Sequence, residues 1–178
     1  MDAKLAIGIP AMAMEIEPLY VVDLIDFEDL YRREYPGLVA VAAALSGASR
    51  DAEDLVQDTM VKALINWKRV QRLDRPGGWC HRVLLNICRN WRRRRATEAR
   101  FISRLRRAEP TSPGPSAATT AFWQAVRQLP TRPRTAVALY YAADRTIAEV
   151  AAILGVPEGT VKSDLSRARV AIIKELEG

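Results

Sequence analysis

One histidine and two cysteines in 178 residues leave little from which to build a metal centre or a nucleophilic triad. They stand at Cys80, His81 and Cys88. Neighbours at i and i+1 on a helix point in different directions, so a metal ion shared by these three is not expected. Cys80 and Cys88 lie on one predicted helix, separated by about 12 Å of rise, too far apart for a disulfide. Both read as buried thiols. No Ser, His and Asp set can be assembled, and no paired carboxylates stand in a metal-ligand arrangement, which argues against a nucleic-acid-processing enzyme. No catalytic residue, cofactor or small-molecule substrate is therefore expected. No stretch reaches the ~18 apolar residues of a membrane span. The N-terminal LAIGIPAMAM has the length of a signal-peptide core, but Lys4 is its one preceding cation, Asp2 offsets that charge and Pro10 interrupts the run. The expected location is the cytoplasm. Strand alternation and internal repeats are absent as well.

What is present is helical periodicity and a sharply uneven charge. The hydrophobic fraction is 49 % and the charged fraction 27 %, ordinary for a folded chain. Residues 1–66 hold 5 basic and 12 acidic side chains, residues 67–107 hold 14 and 2, and residues 108–178 hold 8 and 7. An acidic front suits a basic protein surface, and a strongly basic middle suits a polyanion.

Residues 1–25 are interrupted by Pro10 and Pro18 and show no chemistry. Asp26 is positioned to cap a first helix in which Phe27, Leu30, Tyr31, Leu38, Val41 and Leu45 return at helical spacing, with Pro36 a kink or a break. Ser49 opens a second helix, with Leu55, Thr59, Ala63 and Trp67 along one side. Its other side shows Glu53, Asp54, Gln57, Asp58 and Lys62, a solvated face or a docking face.

A loop, KRVQRLDRPGG, brings Lys68, Arg69, Arg72 and Arg75 ahead of a third helix opened by Pro76. There Cys80, Val83, Leu84, Ile87 and Trp91 form the apolar face, while Trp79, Arg82, Asn86, Arg89 and Arg93 share the other. Guanidiniums neutralise phosphates, an Asn can pair with a base edge, and a flat ring stacks on an exposed base for ~1–3 kcal/mol. Trp79 also has a plain reading as core filling. Arg92 to Arg95 repel one another unless an anion is near.

From Ala96 the helical pattern weakens, and AEPTSPGPSAATT, residues 108–120, carries no apolar period, so residues 96–120 read as a linker. Beyond it, AFWQAVRQLP and RPRTAVALYYAAD give two short helices, with Val137, Tyr140 and Tyr141 expected inside. Thr146 and Glu149 form a capping box, and Gly155 supplies a left-handed stop. A final helix from Glu158 buries Val161, Leu165, Ala168 and Ile172 and leaves Thr160, Lys162, Ser163, Ser166, Arg167 and Arg169 for a major groove. The expected fold is all-α: two small helical domains joined by a flexible linker, the C-terminal one a four-helix helix-turn-helix domain.

DFEDLYRREYPGLV, AEDLVQDTMVKAL, DRPGGWCHRVLLNICRNWRRRR, the LP at Leu129 and Pro130, and EVAAILGVPEGTVKSDLSRAR resemble, in order and spacing, the signature blocks of the extracytoplasmic-function class of bacterial RNA polymerase sigma factors. The resemblance implies that residues 26–95 bind core RNA polymerase through Glu53, Asp54, Gln57 and Asp58. It also implies that they read and melt the minus-ten element of promoter DNA through the loop and third-helix residues named above. Residues 121–178 would read the minus-thirty-five element, and an anti-sigma factor would be a further partner. Three departures stand out. Asp164 lies where the family commonly has Arg, and is expected at the DNA surface, where it would repel phosphate or accept from cytosine N4. His81 replaces a frequent aromatic on the melting surface. Residues 1–25 have no counterpart, and read as a mis-assigned start, an anti-sigma contact or a regulatory arm. The competing reading is a stand-alone helix-turn-helix regulator that binds duplex DNA without polymerase.

Overall fold

Helix α1 (Val21–Ser46) presents Leu30, Leu38, Val41 and Leu45 as a buried stripe at steps of three and four. One further position on that stripe, between Leu30 and Leu38, is occupied by Glu34, which is only 4 % exposed. The computed structural model describes residues 21–47, 49–102 and 117–177. The signal-like stretch LAIGIPAMAM lies outside them. Because α1 starts at Val21, Asp26 lies inside the helix and is not its cap. Pro36 also lies inside, on an exposed side, where water can serve the carbonyl one turn back that the ring leaves without a donor. Gly47, at φ +83°, ends the helix in the left-handed conformation and donates to the Ala43 carbonyl at 2.9 Å.

Helix α2 (Ser49–Ile65) buries Ala52, Leu55, Val56, Thr59, Met60 and Ala63. Thr59 disposes of its buried hydroxyl by donating to the Leu55 carbonyl at 2.8 Å. Part of the expected loop is a single helical turn, α3 (Trp67–Val70), with Trp67 and Val70 buried and Trp67 edge-on to Phe27 at 5.4 Å between ring centroids. Helix α4 (Pro76–Ile102) begins at the proline the sequence marks. Helices α1, α2 and α4 pack on one another as the N-terminal bundle. The Arg95 guanidinium reaches back to Asp51 at 3.2 Å and lies 5.0 Å over the Trp91 ring, so one of the four adjacent arginines has local partners.

Helix α4 runs through Ile102 and α5 (Ala117–Gln128) starts before the expected boundary, so residues 96–102 and 117–120 are helical rather than linker; residues 103–116 lie outside the description. Helix α6 (Thr131–Val137) passes into a π-helical turn, Ala138–Ala142. Val137 is buried as expected and Tyr140 partly so, but Tyr141 is 45 % exposed, because its hydroxyl meets Arg169 at the surface. Helices α7 (Ile147–Leu154) and α8 (Glu158–Glu177) complete the C-terminal half, with α8 packed on α5, α6 and α7.

The two halves meet directly. Helix α1 packs on the π-turn and α5, α4 packs on α7, and the buried apolar residues of both halves form one continuous core. Leu38, Leu84, Leu139, Val126 and Val150 are fully enclosed within it. Each side chain of this size contributes about 1.5–3 kcal/mol by leaving water. Among the described residues there is no strand.

Candidate nucleic-acid interface

The helix-turn-helix is built as its sequence dictates. Thr146 Oγ1 accepts from the Glu149 amide at 3.3 Å, and Glu149 Oε2 accepts from the Thr146 amide at 2.9 Å. That backbone hydrogen bond holds the Glu149 carboxyl below its usual pKa. Gly155 sits at φ +68°, and Val156 donates to the Ala151 carbonyl at 3.1 Å, turning the chain into α8. Val161, Leu165, Ala168 and Ile172 face inward as expected. Lys162, Ser163, Ser166, Arg167 and Arg169 are exposed and Thr160 is half-buried. Several of these already have partners. Ser163 donates to the Gly159 carbonyl at 2.9 Å, and Arg169 donates to the Tyr141 hydroxyl at 3.0 Å.

Asp164 is not at the DNA surface. It lies on the buried side of α8, 1 % exposed, where it accepts from Arg132 Nε at 2.7 Å and Arg132 Nη2 at 3.1 Å, a two-pronged pair, and from Arg167 Nη2 at 3.0 Å. The residue that departs from the family pattern is therefore a brace between α6 and α8. Position 164 falls three after Val161 and four before Ala168, on the apolar stripe, and that spacing is the signal the sequence reading passed over.

On the N-terminal bundle, Lys68, Arg69, Arg72 and Arg75 are exposed around α3 and the following turn, and Arg82, Asn86, Arg89 and Arg93 are exposed along α4. Trp79 is half-buried against the core, so part of its surface is filling and part remains open. The buried stripe of α4 is Gly77, Cys80, His81, Leu84 and Cys88, with Val83, Ile87 and Trp91 only partly covered. The helix is thus rotated slightly from the expected setting. Burial pushes both thiols up to about 12, and neither cysteine is paired.

His81 is likewise withdrawn from the melting surface. It is fully buried, and its Nε2 lies 3.2 Å from Arg145 Nη2 and 3.8 Å from Glu34 Oε2. Burial, and then Arg145, lower its pKa to about 4, so the ring is neutral and its Nε2 can accept from the guanidinium. Among the described residues, no group of three His, Cys, Asp or Glu is placed to hold a metal ion.

Between the halves runs a groove of about 620 Å³, with Leu45, Leu85, Leu154 and Val156 in its walls and Arg89, Arg92, Arg93 and Arg132 around it. Its arginines come from α4 and from the start of α6, so the fold joins a basic surface that the sequence spreads over two segments. On α2, Glu53, Asp54, Gln57 and Asp58 are all exposed. Val61 and Ile65, 54 % and 63 % exposed, continue that side by one and two turns beyond Gln57. This pair was not among the residues singled out from sequence; apolar residues at i+4 and i+8 from a polar face were the available sign.

Residues 30–98 match the model of Sigma-70 region 2, and residues 119–172 match that of Sigma-70, region 4. The chain is 32 % identical over 152 residues to the ECF RNA polymerase sigma factor SigM of Mycobacterium tuberculosis, covering 84 % of this chain and 76 % of that one. It is 34 % identical over 137 residues to the ECF RNA polymerase sigma factor EcfG of Rhodopseudomonas palustris, covering 75 % and 76 %. Among solved structures, the sigma factor RpoE bound to the anti-sigma factor NepR from Bartonella quintana superposes with a TM-score of 0.71 at 30 % identity, covering 85 % of this chain and 97 % of that one. CnrH in complex with the cytosolic domain of CnrY gives 0.64 at 25 % identity, over 86 % and 89 %. With helices alone among its described residues, a capped helix-turn-helix, an arginine-lined α4 and both sigma-70 regions in order, the chain belongs to the ECF RNA polymerase sigma factors, which direct core polymerase to promoters and initiate transcription.

Proposed function

We propose that this sigma factor divides promoter recognition among three surfaces. Residues 26–95 serve as the region 2 unit. In it Glu53, Asp54, Gln57 and Asp58, extended by Val61 and Ile65, contact core polymerase. Lys68, Arg69, Arg72, Arg75, Trp79, Arg82, Asn86, Arg89 and Arg93 contact and open the minus-ten element. Residues 121–178 serve as the region 4 unit, with Thr160, Lys162, Ser163, Ser166, Arg167 and Arg169 at the minus-thirty-five element. Residues between them tether the units. The chain itself has no catalytic residue, works in the cytoplasm where polymerase is found, and is held in check by an anti-sigma partner, as its structural neighbour RpoE is seen with NepR.

The observation that carries this reading is the segregation of charge on one bundle. The exposed acidic residues of α2 and the exposed cations of α4 sit on different helices that share a core, so polymerase and DNA can be engaged together. Extruding a base costs a few kcal/mol, which stacking on Trp79 and phosphate contacts from the arginines would offset. Run-off transcription with core polymerase and this chain tests it. The expected result is initiation from a defined promoter set, with weak duplex binding by the chain alone. Tight, sequence-specific duplex binding without polymerase, and no transcript with it, would overturn this division of labour.

A further inference from the structure

We propose that Glu34, Arg145 and His81 form a latch that holds the two halves of the chain in a closed state, in which the chain cannot read both promoter elements, and that joining polymerase requires the latch to open.

Three elements meet at the latch. Glu34 comes from the buried stripe of α1, His81 from α4, and Arg145 from the turn that leads into α7. Arg145 Nη2 donates to Glu34 Oε2 and lies within hydrogen-bond distance of His81 Nε2, so one guanidinium from the C-terminal half plugs into a carboxylate and an imidazole of the N-terminal half. Arg33 Nε donates to the other carboxylate oxygen at 3.1 Å, and Glu149 lies 3.6 Å from Arg145 Nη1. The turn is shaped for this delivery. Asp144 takes φ +50°, and the Arg145 amide donates to the Leu139 carbonyl at 3.1 Å. On the facing side, Gly77 leaves the space the carboxylate occupies, since a Cβ there would collide with Glu34.

A second link crosses the same boundary. Arg82 Nη2 donates to the Ala152 carbonyl of α7 at 2.7 Å, so a cation proposed above for the minus-ten element is engaged by the other half. Size makes the closed state incompatible with a whole promoter. Elements centred about 25 base pairs apart are separated by roughly 85 Å of duplex at 3.4 Å per step. A compact chain of this length has a radius of gyration of about 16 Å. The latch is built to yield, because His81 Nδ1 and Arg145 Nε are buried without a hydrogen-bond partner, and both regain water on opening.

The latch itself stands on geometry; its gating role rests on the promoter-reading function proposed above. Spin labels at Arg32 of α1 and Glu175 of α8, both exposed, report the separation of the halves in the full chain. Arg145→Gln removes the plug. Gly37→Leu acts independently as a wedge, since a side chain there faces only Ala143 of the other half. The expected result is one short distance in the parent chain, a shift to longer distances in both variants at unchanged helical content, and an increase of about tenfold in apparent affinity for core polymerase, as removal of a dominant closed state requires. Unchanged distances in folded Arg145→Gln, while Gly37→Leu opens the chain, would overturn the latch, and so would a broad distribution in the parent chain. Longer distances with unchanged polymerase affinity would overturn the gating role. Failure of every form, parent included, to bind polymerase would instead remove the sigma-factor reading, while the distances still decide the latch.

Discussion

Asp164 and Arg132 are joined through both oxygens and two guanidinium nitrogens, with the carboxylate inside the C-terminal half and the arginine reaching it from the surface. The pair fixes α6 against α8, and so sets the angle at which α8 is presented. Asp164→Ala should destabilise the chain by about 1–3 kcal/mol, the range for a buried hydrogen-bonded polar group, and lower the melting temperature by several degrees. Calorimetry checks this. Placing there the arginine common in the family, Asp164→Arg, should be far more damaging, because it buries a cation beside two others, Arg132 and Arg167; a gain in DNA affinity with unchanged stability would contradict the burial described above.

The capping box makes a local prediction. Thr146→Ala should cost about 0.5–2 kcal/mol, the usual value of such a cap. The Glu149 carboxyl, depressed in the folded chain, contributes stability above its unfolded pKa of 4.5 and loses it as pH falls through the lower folded value. Urea melts of Thr146→Ala across that window should show a shallower pH dependence than those of the parent.

His81 has the opposite charge type and the same sign of pH effect. Its pKa is about 4 when folded against 6.5 unfolded, so the unfolded chain binds more protons between these values. The stabilising contribution is complete above pH 6.5 and is lost as pH falls toward 4. The groups facing it are Arg145, Glu34 and Glu149, of which the first opposes its protonation and the carboxylates favour it. His81→Gln should flatten the stability profile across that interval, by up to about 3 kcal/mol at its acid end. An unaltered slope would mean that the ring is not titrating there.

Asn86 and Trp79 should separate binding from folding. Asn86 is exposed, so Asn86→Ala should change stability by no more than about 0.5 kcal/mol while slowing open-complex formation, as read by permanganate footprinting. Trp79 is half-buried against the core, so Trp79→Ala should lower both the melting temperature and promoter opening.

On α2, Asp54→Lys and Ile65→Ser each leave the core untouched and should weaken assembly with polymerase about tenfold, measured by native gel shift. Unchanged assembly would move the docking face elsewhere.

The parts of this chain legible in the sequence are those governed by neighbours. Thr146, Glu149 and Gly155 settle their own local geometry, and the stripe from Val161 to Ile172 follows the helical period, so the helix-turn-helix emerges with its exposed residues in place. Pro76 marks the start of α4 for the same reason. The misplaced residues share one property. Asp164 and His81 sit on apolar stripes, as does Glu34, which was not singled out from sequence, and a polar residue reads as surface where periodicity requires burial. The arginines that reach them from other elements are 32, 64 and 111 residues away, beyond any local rule. Tyr141 failed in reverse, an aromatic drawn outward by Arg169. The contact between the halves was invisible because each half, read separately, already accounts for a helical bundle.

The glycine at position 77 links two distant places in the chain by what it lacks. Any side chain there would displace the Glu34 carboxylate, and in the closed chain Glu34 is met from the other half by Arg145. The three positions therefore cannot drift one at a time. A relative that has lost the glycine should have lost the acid and the arginine with it, and would be expected to rest open.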